Sequence, residues 1–319
     1  MSKPAEKANA GSPILVTMGE PAGIGPEIAV AAFHALSGRI GGHPLRLIGD
    51  GSVFVGCGLR DDAAIVSTQA KASRSPGRPA ANNAQAVIEA IETAVSMARS
   101  GEAAAIVTAP INKAVLAHAG FAYPGHTEFL EALTRAPRAV MMLASDQLRV
   151  APLTIHKPLA SVPAALSSDA IVVTSEIILS ALKRFFAVSQ PRLAVAGLNP
   201  HAGEDGVLGN EEKTIIAPAV AELRSRGHDV RGPLPADTMF HAEGRALYDA
   251  ALCMYHDQAL IPIKTLSFWD GVNVTLGLPI VRTSPDHGTA LDIAGKGKAD
   301  ARSMIAAIRM AAQMADARR

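Results

Sequence analysis

Cysteine is almost missing from this chain. Cys57 and Cys253 are the only two in 319 residues, far apart and each in apolar surroundings. That argues against a disulfide framework or a cysteine-built zinc site, and both thiols read as buried small hydrophobes. Aromatics make up 4% of the residues, too few for a stripe on which nucleic-acid bases would stack, so the core has to come from Ala, Val, Leu, Ile and Met. Charge of one sign is lacking too. A formal net charge of +1 gives no long-range field to steer DNA or RNA, so any anionic substrate must be held by a local cluster. No apolar run approaches a membrane span, and the polar start Met1 to Ala10 lacks the apolar segment of a signal peptide, so a cytoplasmic location is expected. Neither G-x-G-x-x-G nor the P-loop pattern G-x-x-x-x-G-K-[ST] occurs. A repeat of roughly 20–50 residues is also missing, which argues against solenoids and propellers.

What is present suits a well-buried enzyme-sized protein. Apolar residues make up 49% and charged residues 18%, and a length of 319 exceeds the usual single-core size, so two domains are expected. Residues 1 to about 12 read as a disordered lead-in. Strand, loop, helix and strand then alternate, the pattern of parallel α/β architecture: a strand at Ile14 to Thr17, the glycine-rich loop Met18 to Glu27, a helix to Leu36, and a strand at Leu45 to Ile48. Residues 60–80 carry little periodic signal. Helices are expected over Ala84 to Arg99, closed by Gly101, over Ala114 to Ala119, near Ser168 to Phe186 and Glu211 to Arg226, and from Asp300 to Ala317. Strands are expected at Ala103 to Thr108, Val140 to Leu143, Leu148 to Ile155, Leu193 to Ala196, Ala250 to Tyr255 and Ile280 to Thr283, with Tyr123 to Glu128 as a loop.

Three histidines stand in the same kind of place. His156, His201 and His256 each end an apolar run and are followed at once by loop chemistry. If those runs are strands of one sheet, all three imidazoles leave carboxyl ends, where open α/β sheets place their ligands. Three neutral imidazoles can hold a divalent metal and leave a position open for substrate, although a lone histidine at a strand end is more often an ordinary hydrogen-bonding residue. Asp257, Glu204, Asp205 and Asp237 are close enough in sequence to orient a ligand ring or fill a coordination position; solvated loop carboxylates are the alternative. Lys264, Asn273 and Arg282 form a second group. The two cations are embedded in apolar sequence, where a phosphate, or a phosphate plus a carboxylate, would justify their burial; structural ion pairing is the alternative. Lys264 and Asp257 are the candidate catalytic acid/base groups. The glycine-rich start and Gly295-Lys-Gly-Lys298 suit phosphate contact or plain loops about equally.

Six ordered motifs, Thr17 to Glu27, Thr108 to Lys113, Pro124 to Phe129, Gly197 to Glu204, Tyr255 to Gln258 and Val272 to Thr289, resemble the 4-hydroxythreonine-4-phosphate dehydrogenase family of pyridoxal phosphate biosynthesis, from about residue 13 to the end. The resemblance implies two α/β/α domains of the isocitrate and isopropylmalate dehydrogenase type, which bind NAD or NADP without the Rossmann glycines. It implies interleaved domains, 1–125 with 285–319 in one and 126–284 in the other, the latter carrying metal and dimer-interface residues. It further implies a homodimer whose metal ion (Zn, Mg or Co) is held by His156 and His201 of one subunit and His256 of the partner subunit. Substrate contacts carry over to His126, Thr127, Lys264, Asn273 and Arg282, while the cofactor contacts are not legible. Phe268-Trp-Asp270 and the 60–80 stretch depart from the family pattern.

The implied reaction oxidises 4-phosphohydroxy-L-threonine to 2-amino-3-oxo-4-phosphooxybutanoate, which loses carbon dioxide to give 3-amino-2-oxopropyl phosphate. Related enzymes oxidise phosphorylated four-carbon sugar acids or aromatic dihydrodiols. From the residues alone, a metal-dependent hydrolase and a sensor of a phosphorylated metabolite are the competing readings.

Overall fold

The computed structural model describes residues 11–318. The expected disordered lead-in lies, up to residue 10, outside the described residues. In chain order the strands are β1 (Ile14–Thr17), β2 (Arg39–Ile40), β3 (His43–Gly49), β4 (Ile65–Ser67), β5 (Ala105–Val107), β6 (Val140–Ala144), β7 (Arg149–Pro152), β8 (Arg192–Ala196), β9 (Asp229–Leu234), β10 (Ala250–Cys253), β11 (Val272–Leu276) and β12 (Arg282–Pro285). They fall into two compact units, residues up to 139 together with 272 onward, and residues 140–271.

In the first unit β3, β1, β5 and β12 run parallel side by side, and β11 returns antiparallel to β12. Every residue of β1, β5 and β12 is buried. A strand buried on both faces needs helices on both sides of its sheet, which explains why these segments read as unbroken apolar runs. The helix Ala84–Ser100 supplies cover by burying Ala84, Val87, Ala90, Ile91, Ala94, Val95 and Ala98 along one stripe, and it stops at Gly101 with φ 83°. Arg302–Ala317 packs against β12 and β5 in the same way.

In the second unit β7, β10, β8 and β9 are parallel, with β6 antiparallel to β7. Alternation decides its two faces. Val150, Ala194, Ala196, Ala251 and Cys253 share one core with Ala259, Leu260 and Ile263 of the helix His256–Leu266. The intervening Leu193, Val195, Ala250 and Leu252 are buried as well. Ser168–Phe185 packs on β8 and on Ala217–Ser225, which covers β9.

Several expectations shift. The units divide after 139 and after 271, rather than after 125 and 284, because His126–Thr134 packs on the helix Ala84–Ser100 and β11 pairs with β12. His126, Thr127, Asn273 and Arg282 therefore belong to the first unit. The loop expected at Tyr123 to Glu128 becomes a helix from His126, burying Phe129 and Leu130. The run Leu148 to Ile155 is a strand only to Pro152, and Ala250 to Tyr255 only to Cys253, since the next residues bend away and His256 opens a helix. Ile280 to Thr283 pairs two residues later than expected, at Arg282–Pro285. Within 60–80 lies the short β4, parallel to β3. Of the two thiols only Cys253 is fully buried; Cys57 is half-buried.

Candidate functional site

In the second unit the three strands that carry the histidines are neighbours, in the order β7, β10, β8, and all parallel. His156, His256 and His201 thus follow adjacent carboxyl ends. The structure brings two of them close: the His156 and His256 ring centroids lie 6.2 Å apart with planes at 37°. Two imidazoles bound tetrahedrally to one ion at about 2.0–2.1 Å per metal–nitrogen bond have centroids roughly 5 Å apart, so these two rings stand about 1 Å wider than a shared ion requires. His256 Nδ1 sits 2.6 Å from Oδ1 of Asp257, so the carboxylate fixes the ring and turns Nε2 to be the nitrogen open to an ion. His201 stands exposed in a turn whose residues from His201 to Asp205 are all left-handed, with φ between 41° and 82°. Among the described residues no three His, Cys, Asp or Glu side chains are already gathered as an ion site. The donor set of neutral imidazoles with a carboxylate behind one of them fits a borderline divalent ion. Glu204, Asp205 and Asp237 are exposed loop carboxylates. Lys264 lies half-buried in the last turn of the helix His256–Leu266.

The first unit holds four of the groups expected to contact an anionic substrate. Arg282 is 3% exposed, and its guanidinium donates to Thr108 Oγ1 at 2.6 and 3.1 Å and to Thr275 Oγ1 at 2.7 Å. No carboxylate pairs with it among the described residues, and burial pulls it down to about 10. The ion-pairing alternative therefore does not apply to Arg282, and a buried cation satisfied only by two hydroxyls is prepared for an anion. His126, in the first turn of its helix, has a buried Nε2 with no hydrogen-bond partner. Burial and then the positive charges of Arg282 and Lys113 hold this imidazole well below its ordinary range, so it is neutral. Thr127 follows it in the same turn, and Asn273 on β11 lies opposite Ser284 of β12.

Lys113, which the sequence reading did not assign, completes this cluster. A Cβ placed on Gly125, the residue before His126, would lie 3.3 Å from its Nζ. The signal was available in the motif Thr108 to Lys113, whose Thr108 supports Arg282 and whose Lys113 faces His126. The glycine-rich start proves to be a packing device: added Cβ atoms at Gly19 and Gly23 would lie 2.6 Å from the Pro110 carbonyl oxygen and 2.8 Å from that of Thr289. Lys296 and Lys298 are exposed on their loop. Phe268 and Trp269 are exposed and stack edge to face.

A family model described as pyridoxal phosphate biosynthetic protein PdxA matches residues 50–311. A 4-hydroxythreonine-4-phosphate dehydrogenase of Bradyrhizobium diazoefficiens is 49% identical over 97% of this chain and 99% of its own length. The crystal structure of a 4-hydroxythreonine-4-phosphate dehydrogenase from Klebsiella pneumoniae superposes with a TM-score of 0.85 at 39% identity, covering 96% of this chain and 100% of that one. A terephthalate 1,2-cis-dihydrodiol dehydrogenase from Burkholderia xenovorans LB400 follows at TM-score 0.68 and 28% identity, covering 95% and 98%. A β-decarboxylating dehydrogenase of Thermococcus kodakarensis, at TM-score 0.51 and 16% identity over 95% of this chain and 82% of its own, shares the fold alone. With the motifs, the two α/β units and these full-length relatives in agreement, the chain belongs to the family of the pyridoxal phosphate biosynthetic protein PdxA.

Proposed function

We propose that this protein oxidises 4-phosphohydroxy-L-threonine with NAD or NADP to 2-amino-3-oxo-4-phosphooxybutanoate, which decarboxylates to 3-amino-2-oxopropyl phosphate, in pyridoxal phosphate synthesis. The observation that carries this reading is the unpaired Arg282 beside the orphaned His126 nitrogen, a recess built for a phosphate-bearing substrate. Arg282 and Lys113 supply positive charge, neutral His126 donates or accepts one hydrogen bond at Nε2, and Thr127 and Asn273 supply neutral hydrogen-bonding groups. Holding the substrate's anionic end this way fixes the orientation of the carbon to be oxidised.

His156 and His201 of one subunit and His256 of the partner subunit are the proposed metal ligands, with Asp257 holding the proton on the His256 Nδ1 beside it. A zinc, magnesium or cobalt ion there would act as a Lewis acid on the substrate hydroxyl, and the nicotinamide would accept the hydride. Lys264 is the proposed acid/base group for the hydroxyl proton. A cytoplasmic homodimer is the form that the family resemblance implies; among the described residues no single helix is long and apolar enough to cross a membrane.

The assay is absorbance of reduced nicotinamide with 4-phosphohydroxy-L-threonine, 4-phosphoerythronate and an aromatic cis-dihydrodiol offered in turn, each with metal. Reduction fastest with the phosphorylated amino acid is expected. Preference for the dihydrodiol would move the protein toward its 28%-identical neighbour, and phosphate or ester cleavage without cofactor reduction would make it a hydrolase. Substituting His156, His201 or His256 singly by Ala should abolish turnover.

A further inference from the structure

Glu212 belongs to none of the groups assigned above, yet it is 3% exposed and lies under the turn that carries His201. Its Oε1 accepts the Leu198 and Asn199 N–H groups, both at 2.7 Å, and its Oε2 accepts Asn199 Nδ2 at 3.0 Å. A Cβ on Gly203 would come within 2.6 Å of Oε2, and one on Gly197 within 3.1 Å of Oε1, so the carboxylate fills the hollow of the turn. Burial pushes this carboxyl up, but the donors from Asn199 and Leu198 outweigh it and hold it below the usual carboxylate range.

The same turn is gripped from the other side. Gln258 Nε2 donates to the Gly197 carbonyl at 2.8 Å, and its Oε1 accepts the Met254 N–H at 2.6 Å. Thr154 Oγ1 donates to the Met254 carbonyl at 2.8 Å. One buried hydrogen-bonded strap thus runs from the loop of His156, through that of His256, to the turn of His201, with Glu212 as its far anchor. The turn needs an anchor. His201, Ala202, Glu204 and Asp205 are non-glycine residues in left-handed backbone, each costing about 1–2 kcal/mol unless its surroundings hold it there.

We propose that Glu212 is a positioning residue which, through the Leu198 and Asn199 N–H groups, holds the left-handed turn from which His201 reaches a metal ion. The inference rests on the histidine site proposed above. It is tested by titrating cobalt(II) into the metal-free, full-length chain and following visible absorption. The wild type, Glu212→Gln, His201→Ala and the double variant are compared, with urea unfolding of each metal-free sample alongside.

Glu212→Gln should lower the metal-free unfolding midpoint, because its amide NH2 must face a donor, and without urea, where the variant stays folded, it should weaken cobalt binding roughly 10- to 100-fold and change the visible band. In the double variant it should add nothing to the loss caused by His201→Ala, because it acts through that residue. Asn199→Ala, which removes one arm of the anchor, should give a smaller defect of the same kind, and it serves as the test if Glu212→Gln does not fold. Wild-type cobalt affinity and spectrum in the Glu212 variant, with His201→Ala impaired, would overturn the inference alone, as would losses that simply add. A His201→Ala chain that binds cobalt like the wild type would overturn the histidine site and the inference together.

Discussion

Arg282 is a charge held out of water and His126 an imidazole held from taking up a proton, and each has a measurable consequence. Replacing Arg282 by Met removes a guanidinium buried against two threonine hydroxyls. The unfolding free energy should rise or stay within about 1 kcal/mol, since a buried charge without a counter-charge stabilises little. Over the same change kcat/KM should fall roughly 10- to 100-fold, mostly through KM, as a charge-assisted bond of about 1.5–3 kcal/mol is lost. A stability loss above about 3 kcal/mol would instead make Arg282 a structural ion. For His126 the folded state holds the imidazole below the 6.5 of the unfolded chain. As pH falls through that value the unfolded chain takes up a proton that the folded chain refuses. Stability therefore declines on acidification, by at most about 1.4 kcal/mol per pH unit, and this contribution vanishes above the unfolded value. Urea unfolding of the wild type and His126→Asn at pH about 7.5 and about 5.5 checks the sign: the wild type should lose more.

Backbone handedness is the deciding property of several elements. The helix Ser168–Phe185 ends with Ala187 at φ 54°, where Val188 N–H reaches back to the Leu182 carbonyl at 3.1 Å. Glycine is the natural residue for such a terminus, so Ala187→Gly should raise the unfolding free energy by about 1 kcal/mol, while Gly101→Ala at the end of Ala84–Ser100 should lower it by a similar amount. Thermal or urea unfolding reads both. These long helices are legible in the sequence because apolar residues recur at helical spacing over several turns. His126–Thr134 escapes because Tyr123-Pro-Gly125 signals a turn and no side chain caps its start. His256–Leu266 escapes because Pro262 interrupts its interior and Ala250 to Tyr255 reads as one strand. The functional groups divide in the same way. Arg282 announces itself as a cation inside an apolar run and Lys113 stands inside the motif Thr108 to Lys113, whereas Gln258 and Glu212 acquire their roles only from partners that folding brings to them, such as Gly197 for Gln258. His126 was reachable through family resemblance alone.

At the scale of the whole molecule, metal and partner should both register as stability. Exhaustive chelation should lower the unfolding temperature and abolish turnover, and restored zinc, magnesium or cobalt should recover both. The expected stabilisation is about 2.7 kcal/mol at an ion concentration of about 100 Kd. Sedimentation should return twice the chain mass. The first unit is also assembled from two stretches of chain separated by all of the second. On a ribosome, the nascent polypeptide would expose His156, His201 and His256 while β5 still waited for β12 to arrive alongside it. Arg282 emerges only with that late strand, so the proposed phosphate site is completed at the close of translation. A half-made chain would already present those imidazoles and still lack the guanidinium proposed to grip the substrate.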